Sequence, residues 1–129
     1  MNYTCKKLPG EPITIWTPLK TWNAERDIPQ ANVKLVALWD AADSFIFHIV
    51  NLEKHILSIA DMLRHITNAV YGSTALYAHP SLREILIVST DPALHSLIKQ
   101  AQTEPSAVIH DIRHFASLDA ALAYARAQP

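Results

Sequence analysis

The sequence predicts an α/β domain, with a mainly parallel sheet of four to five strands and helices packed on it. Two observations predict it. Apolar, β-branched runs at residues 13–17, 44–50, 84–89 and 107–112 have the length and composition of strands. Stretches with apolar residues at every third or fourth position alternate with those runs. The resulting order, β-α-β-α-β-α-β-α, builds parallel sheets, because each helix carries the chain back to begin the next strand in the same direction.

Residues 1–12, with Pro9, Gly10 and Pro12, form an N-terminal tail or edge segment. Residues 13–17 (ITIWT) are the first strand, and residues 18–27 a connection. Asp27 caps a helix over 28–42, with Pro29 near its first position and Val33, Val36, Ala37 and Asp40 at helical spacing, widened by Leu35, Leu38 and Trp39. A strand over 33–38 competes, since VKLVAL is short and apolar throughout. SFIFHIV at 44–50 is a buried strand. Ile56, Ile59, Ala60, Leu63, Ile66, Thr67 and Val70 mark an amphipathic helix. The strand at 84–89 is followed by a helix that Thr90 and Asp91 cap and Pro92 opens, with Leu94, Leu97, Ile98 and Ala101 facing inward. A strand at 107–112 and a last helix capped by Ser117 complete the chain.

The 129 residues suit one domain. Half are apolar and 18% are charged, enough for a core and unlike a disordered chain. The formal net charge of −1, without a basic stripe, gives no field for nucleic acid or anionic lipid. The single cysteine, Cys5, excludes an internal disulfide and fits a free thiol in a reducing compartment. No run reaches the roughly 18 apolar residues of a membrane span, and MNYTCKKLPGEP lacks the apolar core of a secretory signal. The expected location is the cytoplasm.

Motifs with chemistry are sparse. With only Gly10 and Gly72, neither a dinucleotide fingerprint nor a phosphate-cradling loop can be written. Seven histidines invite a metal, but His110 and His114, four apart on a strand, lie about 13 Å from each other. His55 and His65 lie about 15 Å apart along one helix. His48 reads as a core histidine satisfied by a neighbour. No nucleophile elbow surrounds any serine, and Ser58 reads as a helix cap. Glu53, Asp61 and Asp91 could share acid–base work only if a cleft gathered them. No catalytic residue, cofactor or metal ligand is therefore assigned. In open parallel sheets the functional surface forms at the carboxyl ends of the strands. Here those ends carry Asn51, Glu53, Lys54, His55 and Ser58, then Thr90 and Asp91, and finally Arg113, His114 and Phe115.

The strand ending in Asn51-Leu52, the short loop and helix after it, the strand at 84–89 with its helix, and the closing segment Ser117-Leu118-Asp119-Ala120-Ala121-Leu122 resemble the STAS domain of sulfate transporters and anti-sigma-factor antagonists. The resemblance covers about residues 28–127 and is nearest to small stand-alone bacterial proteins of that type. It implies a non-enzymatic regulatory module that binds a protein partner or itself through helix 56–70 and loop 51–55. In the antagonists an Asp-Leu pair ends the strand, which Asn51-Leu52 would match. Their phospho-acceptor motif, of the kind Asp-Ser-Ser-Gly, is replaced here by Ile59-Ala60-Asp61-Met62, and Ser58 is not a match. A small-molecule-binding α/β domain using the same loops is the alternative. A concave pocket at the strand ends would favour it, whereas an apolar convex patch on helix 56–70 would favour a protein partner.

Overall fold

A computed structural model describes residues 2–53, 79–103 and 111–128. Its elements are β1 (Tyr3–Lys7), β2 (Ile13–Pro18), α1 (Ala24–Asp40), β3 (Ile46–Asn51), β4 (Leu82–Val88), α2 (Pro92–Thr103), β5 (Asp111–Phe115) and α3 (Leu118–Arg126). The helix expected over 56–70 lies outside the described residues, together with Lys54, His55, Ser58, Asp61 and His65. So do residues 107–110 of the last expected strand.

The five strands form one sheet in chain order, β1-β2-β3-β4-β5. The sheet is mixed rather than mainly parallel. β1 runs antiparallel to β2, and the three remaining pairings, β2 to β3, β3 to β4 and β4 to β5, are parallel. The cause is the short link after β1. Leu8 to Glu11 form a tight turn in which Glu11 N–H donates to the Leu8 carbonyl at 3.2 Å, with Pro9 and Gly10 in the middle and Gly10 at φ +72°. Proline followed by a left-handed glycine suits a type II turn. A turn this short can only reverse the chain, whereas a parallel return needs a crossover of a dozen residues or more.

α1 begins four residues earlier than the sequence pattern placed it. Asn23, not Asp27, is the cap. Its side chain accepts the Arg26 N–H at 3.0 Å, while the Asp27 carboxylate accepts the Asn23 N–H at 2.9 Å. This reciprocal arrangement satisfies two donors at once, as a capping box does. Pro29 therefore sits in the second turn of α1, not at its start, and is exposed. The buried stripe is Ile28, Ala31, Leu35 and Trp39. Val33, expected on the inner face, is 71% exposed. Helical spacing identified the element and included Leu35 and Trp39 in its inner face, but it centred that face too near Val33 and Ala37, because Val, Leu and Ala occur all around α1.

Alternation along the strands divides the core between two faces. Trp16, Ile46, Val50, Ile85 and Ile87 point to the face covered by α1 and by Leu94 of α2. Ile13, Ile15, Phe47, Ile49, Leu86 and Val88 point to the other face, where Ala121 and Ala125 of α3 pack against them. Both faces of β3 and β4 are thus closed, and each fully buried Ile, Leu or Phe contributes about 1.5–3 kcal/mol relative to exposure. With parallel strands laid side by side in chain order, right-handed crossovers put α1 and α2 on the same face. α3 lies on the opposite one.

Candidate functional site at the carboxyl ends of the strands

β2 and β3 end side by side, and the start of α3 stands over them. Between them lies a cleft of about 460 Å³ lined by Thr17, Lys20, Asn51, Glu53, Leu118 and Asp119, among others. Asn51 organises its floor. Its Nδ2 donates to Thr17 Oγ1 at 3.4 Å, and its Oδ1 accepts the Glu53 N–H at 3.3 Å. Asparagine is suited to this second contact, which bends the chain out of a strand through a side-chain turn. Leu52 is buried and gives its N–H to the Val88 carbonyl at 2.8 Å, so the turn is anchored to β4 as well.

Glu53 reaches from this turn to the last helix. Its carboxylate accepts the Leu118 N–H at 2.7 Å, and Ser117 Oγ accepts the Ala120 N–H at 3.2 Å. Two open donors of the α3 N-terminus are thereby filled, and Asp119 adds a second acid to that first turn. The cleft offers a cation, an amide, a hydroxyl and two carboxylates on a frame held from three elements. That arrangement can bind a polar surface or ligand.

Of the residues singled out from the sequence, Asn51 and Glu53 meet in this cleft. Thr90 and Asp91 do not line it. Asp91 instead caps α2, accepting the Ala93 N–H at 2.9 Å and donating its own N–H to Ser89 Oγ at 3.0 Å. Lys54, His55 and Ser58 lie outside the described residues. Arg113, His114 and Phe115, expected in a loop, belong to β5 itself. Thr17, Lys20 and Asp119 were missed, because only the pairing of β2 with β3 and the return of α3 bring them to Asn51.

A second cleft of about 460 Å³ opens at the edge of β5 and includes His95, Lys99, His114 and Tyr124. Burial first, and the neighbouring His95 second, pull the His114 imidazole below its ordinary pKa. Among the described residues, the most displaced histidine is elsewhere. His48 is sealed inside the sheet, where burial lowers its pKa to about 3 and the Thr14 hydroxyl lies 2.9 Å from Nδ1. It fits the core role read from the sequence. Among the described residues, no three His, Cys, Asp or Glu side chains gather as a metal ion would require. No described helix is long and apolar enough to cross a membrane.

The chain matches no family model, no curated protein and no solved structure.

Proposed function

We propose that this chain is a non-enzymatic regulatory module of the STAS type, and that the surface around Asn51 and Glu53 meets a protein partner or a second copy of the chain. Support comes from how that surface is held. Asn51 is tied to β2 and Glu53 to α3, so the groups offered to a partner are fixed before it arrives, which lowers the entropy cost of association. Asn51-Leu52, the pair that carries the resemblance, ends the central strand of the sheet.

The test uses the full chain. Self-association is followed by sedimentation, and partner binding by crosslinking. Asn51→Ala and the rim reversal Lys20→Glu with Asp119→Lys are compared with the unaltered protein. Loss of association by about tenfold or more, in variants that remain folded at the assay temperature, is the expected result. Association that neither variant alters would rule out this surface.

A second reading, a small-molecule-binding domain, is favoured by one observation. The described strand ends are concave, and each cleft has the volume of a small-ligand site.

A further inference from the structure

The cleft at β5 wraps the edge of the sheet. Ile112 and His114 line it from the face that carries α2, and Arg113 and Phe115 from the face that carries α3. His95 and Lys99, one turn apart on α2, form one wall, and Tyr124 of α3 forms the other.

The nearby acid is already engaged. Glu84 accepts Arg113 Nε at 3.0 Å and the Tyr124 hydroxyl at 2.6 and 2.9 Å to its two oxygens. Lys99 has no hydrogen-bond or ion-pair partner among the described residues. The rings of His95 and His114 lie against each other, 4.4 Å between centroids and tilted by 35°. Nε2 of His114 is buried and has no partner among the described residues. A buried polar atom in that condition costs free energy until something supplies the bond.

We propose that this cleft binds a small organic phosphate, with Lys99, His95 and His114 around the phosphate and Phe115 and Tyr124 beside its organic body. The proposal rests on the ligand-binding reading above and gives that reading a place and a ligand class. Three separate donors from two elements suit an anion whose terminal oxygens point apart. A carboxylate is matched better by the planar fork of an arginine, and Arg113 is committed to Glu84. The recessed ring of His114 favours a compact anion over an acidic peptide laid along the β5 edge.

The full chain is titrated with phenyl phosphate and, separately, with inorganic phosphate, and followed by heteronuclear NMR. Saturable shifts are expected at His95, Lys99 and His114, with phenyl phosphate bound more tightly because its ring is also buried. Lys99→Met, at an exposed position, should weaken phenyl phosphate by about tenfold, the scale of one charge-assisted hydrogen bond, without moving the melting curve. His95→Gln should also weaken it. Saturable shifts at Lys20 and Asn51 instead, with none at α2 and β5, overturn this site while leaving the ligand-binding reading in place. Lack of saturation by either probe overturns the proposal. So does binding that both variants leave unchanged, or an acidic peptide that moves the β5 amides where phenyl phosphate does not.

Discussion

Thr14 Oγ1 and His48 Nδ1 lie 2.9 Å apart on neighbouring strands in register, inside the sheet. Trp39 Nε1 donates to the same hydroxyl at 3.1 Å. An indole nitrogen can only donate, so the hydroxyl accepts from Trp39, and burial keeps the His48 ring beside it neutral. α1 is fastened to the middle of the sheet through three side chains.

Thr14→Val keeps the shape and removes the hydroxyl. It leaves a buried indole donor and a buried imidazole nitrogen without the partner they share, and should cost about 2–4 kcal/mol. Thr14→Ser keeps the relay and loses one methyl, for about 1 kcal/mol. Urea unfolding midpoints at constant slope measure both. Equal losses for the two variants would mean that the hydroxyl contributes nothing.

Acid should weaken the fold through two groups, each over its own pH window. His48 binds a proton at about pH 3 when folded and at about 6.5 when unfolded, so the unfolded chain takes up the proton first. Stability is complete above pH 6.5 and declines as pH falls from 6.5 toward 3, by up to about 1.4 kcal/mol per pH unit. Asp27 acts lower. The Arg26 side chain first, then the Asn23 N–H and the Asn2 side chain, hold its carboxyl at about 2, so its contribution is present above pH 3.8 and lost as pH falls toward 2. Urea unfolding at a series of pH values gives the profile, and the His48 ring signal should not titrate in the folded protein above pH 4. A ring signal that titrates near pH 6 would refute the buried neutral imidazole.

Ser117→Ala removes the side-chain cap of α3 and should cost about 1 kcal/mol. Glu53→Gln keeps a hydrogen-bonding oxygen but loses the charge at the helix N-terminus, for about 0.5 kcal/mol. Salt separates the two variants. The Glu53 effect should shrink at high ionic strength, and the Ser117 effect should persist.

Glu84→Gln should lower the ionisation point of Tyr124. Burial raises the Tyr124 pKa first, and the hydrogen bond and charge of Glu84 raise it further. Without that charge the phenol should titrate closer to its ordinary value, yet above it, because burial remains. Phenolate absorbance during an alkaline titration reads this directly. An unchanged titration would show that burial alone sets the value.

Much of the sheet was legible in the sequence, for a physical reason. Strands closed on both faces must be apolar throughout, and the runs at 13–17, 44–50 and 84–89 stand out against any neighbour. β1 was not legible as a strand. YTCKK pairs only with β2 and mixes buried with exposed positions, so nothing but the Pro9-Gly10 turn announced it. The start of α1 was misplaced because Pro29 and Asp27 imitate a helix start, while Asn23 lay in a stretch that looked like a connection. At the candidate site, Asn51 and Glu53 were accessible because they follow a strand directly. Lys20 and Asp119 became neighbours of Asn51 only through pairing and packing. His95 and His114, which are 19 positions apart in the chain, became neighbours in the same way.

Because each described strand lies beside the one made just before it, the sheet can grow row by row as the chain is made, with none of the five inserting between two earlier ones. The cost of that layout falls on the nine-residue α3, which follows β5. A chain cut short after Phe115 would still own all five strands, yet Ile15, Ile49 and Leu86 would stand bare to water. Nascent fragments ending there should be sticky, and the docking of α3 becomes the moment at which this face of the sheet is covered.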